Sequence, residues 1–392
     1  MNITNTNAHL TYCLNVHPGG TPEELQAAVF ERAPEVFARL RELGGVDGPH
    51  GLGLWLSSAC AEWLLDEDRR ADFANRLQAA GMYVFTVNGF PFGAFHGRRI
   101  KQDVYSPDWS DPARLEHTVR LGTILSDLLP AGETGTISTV PVTYRAWAEP
   151  PGGGDRVRAA TANLIQAVAE FAQLEERTGR RIQLLLEPEP DCLLDDPESV
   201  ISFFRNLFIP ALNERFGSER GAEILQRHFG ICLDLAHTAV VFADPADMLA
   251  RFCEHDIPVG KLHLSAAVKT RTPGRAPTEL RSFIDEVYLH QTRVRTPQTI
   301  HAFRDLPEAL DTPNLAGEWG VHYHVPLVWE GTPGLTSSRD LITPDLLRAA
   351  LNAGVRHFEV ETYTLSLFGA GEETPETVLA RELLWARDRF PV

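Results

Sequence analysis

Phe229-Gly-Ile-Cys-Leu-Asp234-Leu-Ala-His237 is a short apolar run that ends in a carboxylate and, three residues on, an imidazole. The same plan recurs on both sides of it. Upstream, Ile182-Gln-Leu-Leu-Leu-Glu187 ends in a carboxylate before Pro188. Downstream, Val259-Gly-Lys-Leu-His263-Leu264 carries an imidazole near its end, and His357-Phe-Glu-Val-Glu361-Thr-Tyr363 carries a carboxylate. Runs of this length bounded by turn residues read as buried strands. Four more precede them: His9–His17, Leu52–Ser57, Met82–Val87 and Thr134–Val140.

Helical stretches separate the runs. Thr21-Pro-Glu-Glu24 is a helix start, with a capping threonine, proline at the first helical position and a glutamate three residues after the cap. A helix to about Ala80 stops at Gly81, Asp155–Thr178 stops at Gly179, and Thr343–Gly354 begins Thr-Pro-Asp. Strands alternating with helices form βα units and a parallel sheet covered on both faces. Eight such units across residues 8–392 predict an α/β chain folded as a (β/α)8 TIM barrel, with a doubly wound open sheet as the alternative. No Gly-x-Gly-x-x-Gly follows the first run, which counts against the alternative. The polar, Arg-rich stretch 265–320 reads as a long insertion between the seventh and eighth strands, a candidate lid. A ninth run, Val321–Val328, reads as a strand returning from it.

Catalytic groups of parallel barrels sit at the C-terminal ends of strands. The fifth to eighth strands end in Glu187, Asp234, His263 and Glu361, groups that can converge at the barrel mouth. Crowded carboxylates repel one another unless a cation lies between them, and a mixed oxygen and nitrogen set suits Mn2+, Co2+ or Zn2+. Each residue also has a structural reading: Asp234 as a helix cap, His263 as a hydrogen-bonded core histidine, Glu187 as a solvated residue before proline. His322 and His324 share one side of their run and compete with His263 for the barrel ligand; His263 is the preferred choice. His17 after the first strand and Asn88 after the third face the mouth, and the aromatics of Phe90–His96 wall a pocket.

These motifs resemble the metal-site motifs of the xylose-isomerase-like TIM barrels, which include sugar isomerases and epimerases and, more distantly, the endonuclease IV group. The resemblance implies that Glu187, Asp234, His263 and Glu361 bind a divalent ion. It implies further that Glu187 and Glu361 exchange protons at the substrate carbon and that His237 contacts substrate. Read from their own positions, His17 (or else a turn residue), Asn88, His322 and His324 are further candidate substrate contacts at the mouth. Leu10–Gly19, Val87–Gly97, Tyr288–Gln291 and Val321–Leu327 are similar to the EboE family of metabolite traffic proteins. That likeness implies a cytoplasmic protein of a small-metabolite processing or export pathway, functionally linked to a membrane protein.

Composition bounds the partners. The 392 residues hold 36 Lys and Arg against 53 Asp and Glu, a formal charge of −17. That balance argues against a nucleic acid and against an anionic membrane surface, both of which need clustered cations. No apolar run reaches the roughly 18 residues of a membrane span, and the start lacks the pattern of a signal peptide. Five cysteines without a Cys-x-x-Cys pair fit free thiols in a reducing compartment. The expected activity is metal-dependent isomerisation or epimerisation of a small polar metabolite. The alternatives are a metal-dependent hydrolase on the same site and a non-catalytic metabolite carrier.

Overall fold

Eight parallel strands pair edge to edge in the computed structural model, which describes all residues except 4–5, 46–47, 94–100, 150, 272, 366–372 and 392. They are β1 (His9–Tyr12), β2 (His50–Trp55), β3 (Met82–Asn88), β4 (Thr134–Thr139), β5 (Arg181–Leu186), β6 (Phe229–Asp234), β7 (Val259–Leu264) and, last in the chain, β14 (His357–Val360). Their order is β1-β14-β7-β6-β5-β4-β3-β2. The ends of this path meet through a parallel bridge between Cys13 and Gly53 and a 2.7 Å hydrogen bond from the Thr11 hydroxyl to the Gly51 carbonyl. The chain is a TIM barrel, as the run of strand and helix signals predicts. All six residues of β2 and of β6 are buried, as expected where helices cover the outside and side chains fill the inside.

The helix signals have their expected partners. Thr21 accepts from the Glu24 amide while Glu24 reaches back to the Thr21 amide. The long helix runs Gly153–Thr178 and ends at Gly179, whose φ of 70° is one that favours glycine. The helix Pro344–Asn352 is capped by Thr343.

Alternation along β7 and β14 sends Leu262, Leu264, Phe358 and Val360 to one face and Lys261, His263, His357 and Glu359 to the other. The second set lies in the barrel interior, which is polar along its axis. His357 Nδ1 meets the Thr136 hydroxyl at 2.8 Å, Thr136 donates to Thr86 at 2.8 Å, and Lys261 Nζ donates to Thr86 at 3.1 Å. Lys261 pairs with Glu359, and both are fully buried. Gly53 makes the room: a Cβ there would stand 1.6 Å from Glu359 Oε1. Gly53→Ala is therefore expected to destabilise the fold by about 3 kcal/mol, since the buried carboxylate has nowhere to move. Equilibrium unfolding in urea reads this, and a loss under about 0.5 kcal/mol contradicts the packing described.

Between β7 and β14 the chain builds a second, antiparallel sheet. Its strands are β8 (Val268–Thr270), β9 (Gly274–Arg275), β10 (Thr292–Arg295), β11 (Ile300–Phe303), β12 (Ala316–Val321) and β13 (Leu335–Ser337), with β9 pairing off the main path β11-β10-β12-β8-β13. The sheet runs on past residue 320 to Ser337. The strand expected at Val321–Val328 is displaced: β12 ends where that run was to begin. Its partner β10 starts at Thr292, opposite Val321, so the pairing ends with the His322 amide on the Gln291 carbonyl at 2.9 Å, and Pro326 has no N–H to donate. The segment instead turns towards the barrel, with the Val325 amide bonded to Ala266 O at 2.9 Å.

All five cysteines are free thiols; four are buried and Cys253 is exposed. Among the described residues no helix is long and apolar enough to cross a membrane.

Candidate metal centre

β5, β6, β7 and β14 are consecutive neighbours in the barrel, so their ends deliver side chains to one place. Glu187 follows β5, Asp234 ends β6, His263 lies one residue before the end of β7, and Glu361 follows β14. All four are buried. One nitrogen or oxygen from each falls within 4.8 Å of the others. His263 Nδ1 is the hub, 3.0 Å from Glu361 Oε2, 3.3 Å from Glu187 Oε1 and 3.4 Å from Asp234 Oδ2.

The helix-cap reading of Asp234 holds for one of its oxygens. Oδ1 accepts from the His237 amide at 2.8 Å and from the Ser265 hydroxyl at 2.9 Å, while Oδ2 faces the centre. Among the described residues Asp234 Oδ2, Glu187 Oε2 and His263 Nδ1 have no hydrogen-bond partner. Polar atoms this buried are costly unless satisfied. Asp234 Oδ2 and His263 Nδ1, 3.4 Å apart and both without a partner, with Glu187 and Glu361 oxygens beside them, fit a divalent cation bound by three carboxylates and an imidazole.

Electrostatics point the same way. Burial pushes the Glu361 carboxyl up, but the neighbouring His263 and His324 outweigh it and hold it at about 2. Burial likewise opposes charge on Asp234, and His237, His324 and His263 carry it well below the usual range. Burial disfavours the His263 imidazolium, yet Cys232, Glu361 and Glu187 raise its pKa well above normal. The centre draws positive charge. Cys232 lies beside Glu187 and His263, close enough for the three to share an ion, and burial pushes its thiol up to about 12.

The supporting groups were not among the sequence candidates. His263 Nε2 lies 3.0 Å from Glu359 Oε2, which fixes the tautomer and turns the Nδ1 lone pair to the centre. Glu359 is held in turn by Lys261. Both stand two residues from a named candidate, on the same side of their strands, and this period-2 relation is the signal that finds them. Asn15 and Asn88 donate to Glu361 Oε1 at 2.7 and 2.9 Å. Asn88, expected to touch substrate, lines the cavity and also holds the Glu361 carboxylate. Nothing in the sequence marks Asn15, which a short turn at Leu14–Val16 brings to the cavity.

The His17 imidazole packs edge-on against Tyr12 and meets the Tyr12 hydroxyl at 3.2 Å, while the turn brings Asn15 to the cavity lining. His237, His322 and His324 do line the cavity and lie together on one side of it. Of the aromatic loop, Phe90 and Pro91 line the wall and Phe92 packs on His117. Ala94, Phe95 and His96 lie outside the described residues. Tyr105, Tyr288 and Tyr363 also line the cavity, Tyr105 beside Phe90 and Tyr363 against His324. Glu189 lines it too, accepting from the Tyr105 hydroxyl at 2.7 Å and from Gln291 at 3.3 Å; burial raises its carboxyl well above the usual range.

No family model matches the chain, and no curated protein does. Solved structures align with nearly the full length of the chain at low similarity. The probable 3-DHS dehydratase AsbF of Bacillus anthracis, involved in petrobactin synthesis, is 13% identical, with 96% of this chain and 97% of that chain covered and a TM-score of 0.47. A D-tagatose 3-epimerase-like protein is 11% identical, with 97% and 96% covered and a TM-score of 0.49. The IOLI protein with a binding zinc atom is 11% identical, with 98% and 100% covered and a TM-score of 0.48. At these identities the likeness is one of fold.

Proposed function

We propose that the chain is a metal-dependent isomerase or epimerase of a small polyhydroxylated metabolite. The observation that carries this reading is the convergence of Glu187, Asp234, His263 and Glu361, with three of their atoms buried and otherwise unsatisfied. A divalent ion held there would supply a Lewis acid for a carbonyl and its neighbouring hydroxyl, easing loss of the C–H proton between them. Glu187 and Glu361 stand three strand positions apart around the barrel, so their carboxylates approach a substrate from different sides. One removes the proton and the other returns one. Asn15 and Asn88 keep Glu361 Oε1 fixed, leaving Oε2 to act. The aromatic side chains of the lining pack against the carbon skeleton and exclude water.

Hydrolysis on the same site is the second reading, favoured by the cluster of His237, His322 and His324 beside the first four residues. The similarity of four chain segments to the EboE family supports a place in small-metabolite processing or export, with a membrane protein of that pathway as functional partner. The free cysteines and that similarity support a cytoplasmic location, and the charge of −17 supports the absence of a nucleic-acid partner.

Solvent exchange tests the reaction. Incubated with Mn2+ or Co2+ in D2O and a panel of ketoses and ketose phosphates, the protein is expected to introduce deuterium at one carbon next to the carbonyl, read by proton NMR. Glu187→Gln and Glu361→Gln are expected to lower that exchange at least about 100-fold with the fold retained. Exchange that persists in both variants removes the acid/base pair. A double variant with unchanged cellular activity makes the protein a carrier.

A further inference from the structure

We infer that His237, His322 and His324 form a second cation site, separate from the four-ligand centre, and that it takes Zn2+. This goes beyond the proposed reaction and does not depend on it.

All three imidazoles are held in the same tautomer. His237 Nδ1 is 3.0 Å from the Pro188 carbonyl, and His324 Nδ1 is 3.1 Å from the Glu361 carbonyl. His322 Nδ1 is 2.6 Å from Gln291 Oε1. The orientation of that amide is settled by its other end, where Gln291 Nε2 donates to the Tyr105 hydroxyl at 2.7 Å and to the Pro190 carbonyl at 3.2 Å. All three Nδ1 atoms therefore face acceptors and carry the proton. In a neutral imidazole the other nitrogen is then a bare lone pair. The three Nε2 atoms point at one another: His237 Nε2 is 3.1 Å from His322 Nε2 and 3.4 Å from His324 Nε2. Lone pairs at that separation repel. One shared proton would join two of them and leave the third opposed.

A metal ion resolves all three at once. With Zn–N bonds of 2.0–2.1 Å, tetrahedral geometry places ligand nitrogens about 3.3–3.4 Å apart, close to the spacing found. Each ligand already has the outer hydrogen bond that metal-bound histidines use to fix their orientation. All-imidazole sites suit Zn2+, whereas the oxygen-rich first centre also suits Mn2+. Three protein ligands leave a fourth position, and because all three histidines line the cavity, that position opens to a water or substrate oxygen.

Zinc stoichiometry decides the matter. Protein stripped with a chelator is loaded with Zn2+, freed of excess ion and assayed by plasma mass spectrometry, with affinities from calorimetric titration. His322→Ala is expected to lose one equivalent of Zn2+ or to bind it at least about 100-fold more weakly. His322→Gln, which keeps a polar side chain of similar reach, is the second variant; both are checked for fold by circular dichroism. Loading with Co2+ adds a signature: strong visible absorption of a tetrahedral site in wild type, lost in His322→Gln. The double variant Glu187→Gln/Glu361→Gln should keep this equivalent and lose the other. Unchanged Zn2+ content and affinity in both His322 variants overturn the site, and leave the proposed reaction standing if the glutamate variants still lose metal and solvent exchange.

Discussion

Replacing Lys261 by Met is expected to destabilise the protein by about 3–5 kcal/mol, because it strands the Glu359 carboxylate in the barrel interior without its cation. Both groups are fully buried, and the surrounding Thr86 and Ser138 hydroxyls satisfy the ammonium, not the carboxylate. The double variant Lys261→Met/Glu359→Leu is expected to recover most of that loss, since removing both charges removes the penalty of burying one. Recovery of stability should not bring recovery of metal binding. Glu359 orients His263 through Nε2, and losing such an outer partner costs about 10–100-fold in affinity. Urea unfolding and metal titration of the same two variants read the two effects separately. A single variant as stable as wild type would mean that Lys261 does not neutralise Glu359.

Stripping the divalent ion is expected to lower stability by about 4 kcal/mol relative to protein held in metal at a thousand times its dissociation constant. The linkage is strong here because the unfolded chain does not assemble the four ligands, which come from positions as far apart as Glu187 and Glu361. Without the ion, three buried carboxylates share one imidazole. Thermal unfolding before and after EDTA, with Mn2+, Co2+ or Zn2+ restored in turn, should show a reversible shift of several degrees. Asp234→Asn and Glu361→Gln should abolish most of it. A melting temperature indifferent to metal up to millimolar concentration would contradict the centre.

Most of the eight barrel strands were legible as short apolar runs set between helix signals, and Thr21 and Gly179 keep the roles those signals give them, while β4, TGTIST, carries little apolar pattern of its own. The four converging residues were legible because strand order brings the ends of β5, β6, β7 and β14 side by side. What lies beneath them was not. Glu359 and Lys261 read as interruptions of hydrophobic strands, although each shares a side with a named candidate. The second sheet was unreadable: β9 has two residues, and β11 presents Ile300, His301 and Ala302 to solvent, so neither leaves a hydrophobic period. For the same reason the end of β12 was placed wrongly. His322 and His324 came to the cavity on a segment outside any strand, held by the Gln291 and Ala266 carbonyls rather than by a ladder. Asn15 was not legible because a single short turn, Leu14–Val16, decides which polar side chain reaches the cavity.

The most direct measurement is anomalous X-ray scattering, at the absorption edge of the bound metal, from crystals of protein loaded with Mn2+ or Zn2+. The account predicts a peak in contact with Glu187, Asp234, His263 and Glu361, whichever of the two ions is used. A fully loaded crystal with no peak among those four side chains would contradict it.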